Sequence, residues 1–128
     1  MSLAERGVAV MLPVDDVDRA KKFYVESLGL DYTGTDGEGS AKFRLGGGAS
    51  LVLLPRPGSV RVESTAMSWE VDDVAKEVED LESHGVVFED YDVPGLTTVD
   101  HVADMEGEKA AWFRDPDGNV LCVHQASG

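Results

Sequence analysis

The chain is short of the residues that most often build disulfides and metal centres, with one cysteine, Cys122, and three histidines, His84, His101 and His124, in 128 residues. A single cysteine excludes an internal disulfide and an all-cysteine zinc site, and fits a reducing compartment. Basic residues are scarce as well: 11 Lys and Arg stand against 25 Asp and Glu, a formal net charge of −14. Such a charge repels a phosphate backbone and an anionic membrane surface, so neither nucleic acid nor membrane is an expected partner. The same acidity reads as a strongly solvated surface, or as an attraction for a cationic ligand. No stretch approaches the roughly 20 apolar residues of a membrane span. The opening MSLAERG lacks the apolar centre of a signal peptide, and a cytoplasmic location is expected.

What is present is a chain with 42% hydrophobic residues, enough for the core of one domain and not of two independent ones. Any internal duplication must share one folded unit. Val8 to Val14 is a short apolar run ending at Asp15-Asp16, after which Val17, Ala20, Tyr24 and Leu28 recur at helical spacing. Asp16 can cap that helix, and Gly29 stands where a left-handed residue commonly ends one. Strands are then expected over Leu30–Thr35, Ala41–Leu45 and Ser50–Leu54, separated by Asp36-Gly37-Glu38-Gly39 and Gly46-Gly47-Gly48. Pro55-Arg56-Pro57-Gly58 reads as a link.

The order then repeats. Thr65–Val71 is expected as a strand, Asp72-Asp73 begins a helix with Val74, Val78 and Leu81 on one face, and Gly85 closes it. Val86–Tyr91, Glu108–Arg114 and Val120–Gln125 are read as three further strands. Val14-Asp15-Asp16-Val17 returns as Val71-Asp72-Asp73-Val74 at an offset of 57, and Gly29 and Gly85 lie 56 apart. Phe43 and Phe113, each before a glycine-containing turn and a strand beginning near Leu51 or Leu121, are offset by 70. The growth in offset puts about 13 further residues in the second half, around Pro94 to Gly107. They are either a strand with irregular ends or a functional loop or lid.

Leu12-Pro13-Val14-Asp15-Asp16-Val17-Asp18-Arg19-Ala20, Phe23-Tyr24, Leu28-Gly29-Leu30 and the late Trp112-Phe113-Arg114-Asp115-Pro116-Asp117-Gly118-Asn119 together resemble the vicinal oxygen chelate superfamily of glyoxalases, bleomycin-resistance proteins and extradiol dioxygenases. The resemblance covers nearly the whole chain. It implies an α+β fold of two βαβββ modules, residues 7–57 and 64–126, within one domain over 1–128, with curved sheets around a cavity. The Asp-Pro-Asp-Gly run has its own physical reading as a tight reversal, combining the fixed φ of proline with the positive φ open to glycine. Its carboxylates are read as structural.

Metal-dependent members of the superfamily carry His, Gln or Glu ligands on the cavity wall. Carried over onto this sequence, those positions fall at Ala9, Val52, Ala66 and Cys122. Such a set lacks the imidazole and carboxylate donors of a hard divalent ion, so neither a metal nor any other cofactor is expected. Alternation along the strands adds Met11, Leu54, Ser68, Glu70 and His124 to the same wall, and the indole of Trp112 is read as facing the cavity or a subunit interface. The candidate ligand-binding residues are therefore Ala9, Met11, Val52, Leu54, Ala66, Ser68, Glu70, Trp112, Cys122 and His124. Trp69 is expected beneath the helices. Glu70 and His124 are the one pair on this wall able to move a proton. His84 suits a helix C-terminus, and His101, with Asp100 and Asp104 nearby, is an alternative metal position.

Three functions compete. The leading one is metal-free binding of a small organic, cationic, drug-like molecule. The second is an isomerase, lyase or dioxygenase with displaced metal ligands or a Glu70/His124 acid–base pair. The third is a non-catalytic structural or regulatory partner with a vestigial pocket. The resemblance also implies a homodimer.

Overall fold

The computed structural model describes residues 2–126. By its internal contacts the chain divides into two compact units, the first ending at Val60 and the second beginning at Arg61.

In the first unit, β1 (Ala9–Val14) leads into α1 (Val17–Lys22), which continues as a π-helical segment (Phe23–Ser27), followed by β2 (Asp31–Thr35), β3 (Ala41–Arg44) and β4 (Ser50–Pro55). Asp16 caps α1 by accepting from the Arg19 N–H at 3.2 Å, which satisfies one of the four orphan donors at a helix start. Gly29, at φ 70°, ends the helical stretch. The sheet order is β1-β4-β3-β2, with β1 and β4 parallel and the other pairs antiparallel. Leu12, Val14, Leu51, Leu53, Ala20, Tyr24 and Phe43 form its buried core. The Phe43 ring is flanked by those of Tyr24 and Tyr32, with centroids 5.9 and 5.7 Å away.

The second unit repeats the plan and extends it. Strand β5 (Met67–Glu70) precedes α2 (Val74–Ser83), which Asp73 caps through the Lys76 N–H at 3.2 Å. The paired Asp-Asp motifs thus start both helices. His84 ends α2, its ring Nδ1 2.9 Å from the Asp80 carbonyl. Then come β6 (Asp92–Val93), β7 (Leu96–Val99), β8 (Val102–Met105), β9 (Glu108–Arg114) and β10 (Val120–Gln125), in the sheet order β5-β10-β9-β8-β7-β6. Phe113 faces Leu121 across β9 and β10, as Phe43 faces Leu51 across β3 and β4, and all four side chains are fully buried.

One expected strand does not form. Val86–Tyr91 forms no ladder: it meets β9 through a bridge from Phe88 to Phe113 and a hydrogen bond from the Glu89 N–H to the Trp112 carbonyl at 2.8 Å, and β7 through a hydrogen bond from the Thr98 N–H to the Tyr91 carbonyl at 2.8 Å. The edge of β9 over Glu108–Ala110 is taken by β8, whose Ala103 to Met105 pair with it. The extra residues of the second half are therefore an ordered meander: β6, β7 and β8 are joined by two-residue turns at Pro94-Gly95 and Asp100-His101, and β8 joins β9 through Glu106-Gly107. Among the described residues no helix is long and apolar enough to cross a membrane.

Candidate functional site

Each sheet has one face packed on its helix and one open face, and the candidate residues lie on the open faces. In the first unit Met11 pairs with Val52 and Pro13 with Leu54, while their neighbours Leu12, Val14, Leu51 and Leu53 are buried on the helix side. Met11 is 51% exposed, Ala9 is exposed, Leu54 is half-buried and Val52 is buried. This gives a shallow apolar strip. Farther across, Arg44 on β3 pairs with Asp31 on β2 at 2.9 Å, an exposed ion pair of little energetic weight.

The open face of the second unit is chemically richer. Ser68, Cys122 and Trp112 form one row across β5, β10 and β9, and Glu70, His124 and Ala110 the next. Ala66 precedes β5 and is exposed, its N–H bonded to the Val120 carbonyl at 2.8 Å. Trp69 pairs with Val123 on the opposite, helix-facing side, as expected from alternation. The Ser68 Oγ lies 2.5 Å from His124 Nδ1, and His124 Nε2 lies 4.0 Å from Glu70 Oε1. His124 is paired within β10; its side chain is 40% exposed and that of Glu70 is 77% exposed. Burial pushes the Cys122 thiol up, against the lowering effect of its hydrogen bond with Ser68.

Trp112 is half-buried on this face, held by a hydrogen bond from Nε1 to the Thr65 Oγ1 at 3.1 Å and by the edge-on ring of Tyr91, 5.7 Å away. Beside it, Arg114 donates from Nη2 to Glu63 at 2.5 Å, from Nε to Glu89 at 3.0 Å and from Nη1 to the Gly118 carbonyl at 3.2 Å. Glu63, then Glu89, stabilises the charged guanidinium and raises its pKa, while burial followed by Glu89 raises that of Tyr91. Thr65, Tyr91, Glu63 and Glu89 escape a sequence reading. Their contacts to β9 span 21 to 51 residues and leave no local pattern.

The Asp-Pro-Asp-Gly turn is structural, as its composition implies. Buried Asp115 accepts from the Asp117 and Asn119 N–H groups at 2.9 and 2.8 Å and from Asn119 Nδ2 at 2.8 Å. His101 lies apart from the open faces. Its partners are Asp90, 2.9 Å from Nδ1, and Glu82, 3.4 Å from Nε2, in place of the sequence neighbours Asp100 and Asp104. It lines a groove of about 560 Å³ between α2 and the β7-β8 hairpin, with Val78 and Val102 in the floor and Glu79 and Asp104 at the rim. Among the described residues no three His, Cys, Asp or Glu side chains converge as a metal ligand set.

A duplicated β-α-β-β-β plan with two open mixed sheets defines a class of small two-module proteins. The chain belongs to the Glyoxalase/Bleomycin resistance protein/Dioxygenase superfamily, whose model matches residues 8–123. Among solved structures it is similar to TnmS3, an antibiotic binding protein from Streptomyces sp. CB03234, at 28% identity and a TM-score of 0.67 over 99% of each chain. It is also similar to a glyoxalase/bleomycin resistance protein from the same strain, at 29% identity and a TM-score of 0.63 over 94% of this chain and 100% of the other. A lactoylglutathione lyase from Agrobacterium tumefaciens, at 22% identity and a TM-score of 0.70 over 94% and 92%, shares the fold. No functionally curated protein matches the sequence.

The positions where family resemblance places metal donors do not fit a divalent ion. Ala9, Val52 and Ala66 offer only hydrocarbon, and the one heteroatom, the sulfur of Cys122, is buried with its ionisation opposed.

Proposed function

We propose that this chain binds a small organic molecule without a metal, on the open face of a sheet. The observation that carries the reading is the donor-poor set Ala9, Val52, Ala66 and Cys122, on faces that join apolar and aromatic surface to polar and ion-paired side chains. That is the composition of a ligand surface: hydrocarbon and ring faces supply affinity, and sparse polar atoms fix orientation. On the first unit's face Met11, Val52 and Leu54 are apolar; on the second unit's face Cys122 and Trp112 supply apolar and aromatic surface, and Ser68, Glu70 and His124 the polar atoms. The antibiotic-binding activity of TnmS3 supports the same direction. The net charge of −14 favours a cationic ligand by long-range attraction. The working form is a cytoplasmic homodimer, to be checked by sedimentation equilibrium.

The test has two parts, using protein purified without a metal-affinity tag. Elemental analysis, then add-back of iron, zinc, nickel and manganese, should find no stoichiometric metal. Titration with bleomycin, followed by tryptophan fluorescence and calorimetry, should give saturable binding that weakens with salt and is lost in Trp112→Ala. A stoichiometric metal, or no binding of bleomycin or of other cationic and planar antibiotics, overturns the reading.

A further inference from the structure

Ser68 and His124 stand on adjacent parallel strands, two residues apart in register and on the same face, so the backbone pairing of β5 with β10 fixes where both side chains start. A serine hydroxyl is a weak nucleophile at neutral pH unless a base takes its proton as the oxygen attacks. His124 Nδ1, 2.5 Å from the Ser68 Oγ, is placed to do so. To accept that proton Nδ1 must present its lone pair, which leaves the ring's own proton on Nε2, the nitrogen facing Glu70 at 4.0 Å. At that distance the carboxylate faces Nε2 without a hydrogen bond to it. Nucleophile, base and carboxylate are thus in sequence across two strands, the order found in acyl-transfer triads, with the imidazole reversed so that Nδ1 meets the hydroxyl and Nε2 faces the carboxylate. The same row continues from Ser68 to Cys122 and Trp112, an apolar and aromatic surface on which an aryl group can lie.

The geometry points to Ser68 as a nucleophile for acyl transfer from aryl esters of short carboxylic acids, with His124 as its base and Glu70 as the carboxylate that faces His124. In the first step the Ser68 Oγ forms a bond to the acyl carbon, its proton passes to Nδ1, and the bond from the acyl carbon to the aryl oxygen breaks. The aryl oxide leaves, and the proton on Nδ1 passes to it or to solvent, which restores the neutral imidazole. In the second step water attacks the acyl carbon and gives a proton to Nδ1. The Ser68 Oγ then leaves with that proton, releasing the carboxylic acid. The products are a phenol and an acid, and no oxidant or reductant is needed. This activity does not depend on the ligand-binding reading above.

4-Nitrophenyl acetate is the probe, read by nitrophenolate release, intact-protein mass spectrometry and peptide mapping of the acetyl group. The expected result is a stoichiometric burst with acetyl on Ser68. Ser68→Ala should abolish it, and His124→Gln should slow acetylation of Ser68 by about 100-fold, the scale of one general base. Glu70→Gln should slow it by about 10-fold or less, with the same acetylated residue. Thermal melting of each variant separates loss of chemistry from loss of fold, and mapping in the unmutated chain needs no variant. Acetyl found only on Cys122 or on lysines, no burst at all, or Ser68 acetylation indifferent to His124→Gln overturns the proposal.

Discussion

The two units share a plan and differ in what they do with it. Both start a helix at the second aspartate of an Asp-Asp pair, and both bury a Phe-Leu pair at the centre of the sheet. On their open faces, however, the first unit offers Met11, Val52 and Leu54, whereas the second offers Ser68, Glu70, Cys122, Trp112 and His124. At the edges, the first sheet stops at β2 after four strands, and the second continues through a meander to six. Caps and core positions are fixed by the need to start a helix and cover a sheet. Open-face and edge positions carry no such constraint, so they are where chemistry can diverge between the copies.

The largest expected effects test the shared part. Phe43→Ala and Phe113→Ala each remove a fully buried ring from an equivalent site, and each should cost about 3–5 kcal/mol in urea unfolding. Similar penalties would support equivalence of the cores. A penalty below about 1 kcal/mol at either site would break it, by showing that the ring's neighbours, Tyr24 and Tyr32 or Phe88, close the gap.

The turns between the last two strands come next, because the units solve the same problem with different chemistry. Between β9 and β10 the buried Asp115 carboxylate accepts from Asp117 and Asn119. Asp115→Ala strands those donors and should cost about 1–3 kcal/mol. Between β3 and β4 the turn is Gly46-Gly47-Gly48, with Gly47 at φ 68° and nothing within 4 Å of where a Cβ would stand. Gly47→Ala should therefore cost only the backbone strain, about 1 kcal/mol. Thermal melting ranks the two, and a larger loss at Gly47 would refute the distinction between a side-chain-built and a backbone-built turn.

Much of this was legible in the sequence because it is local or repeated. Asp16 and Asp73 advertise helix starts, Gly29 and Gly85 helix ends, and the offsets of 57 and 70 align the two cores before any coordinates. The expected strand at Val86–Tyr91 failed for a physical reason. Val86 and Phe88 are buried and Val87 is 81% exposed, so the alternation is real. Alternation reports burial, however, and pairing also requires a free sheet edge: β8 takes Glu108–Ala110 of β9, and the short stretch left beyond it holds Val86–Tyr91 by one bridge, Phe88 to Phe113. The meander was hidden because its strands are two to four residues long and one of its turns uses Asp-His where Asn-Gly would be the signal. At the candidate site, strand alternation could name Ser68, Glu70 and His124 as neighbours. The bond between Ser68 Oγ and His124 Nδ1 depends on the register of β5 against β10, which no local pattern encodes.

The smallest expected effects bear on the edge that only the second unit has. The β7-β8 turn holds Asp100 at φ 51° and His101 at φ 72°, a left-handed pair that glycine adopts without strain. Asp100→Gly should thus raise stability by about 0.5 kcal/mol, little because aspartate already tolerates this region. His101→Gly relieves the same kind of strain but removes a ring that meets Asp90 at 2.9 Å and Glu82 at 3.4 Å and stacks on Phe88 at 6.2 Å. Those contacts tie the turn to α2 and to the segment before β6, so their loss should outweigh the relief and lower stability by about 0.5–1 kcal/mol. Opposite signs in the two melting curves would mean that the meander is anchored through the His101 ring. A gain in both would mean that the backbone pairing of β7 with β8 holds the edge alone, and that the His101 contacts add nothing to it.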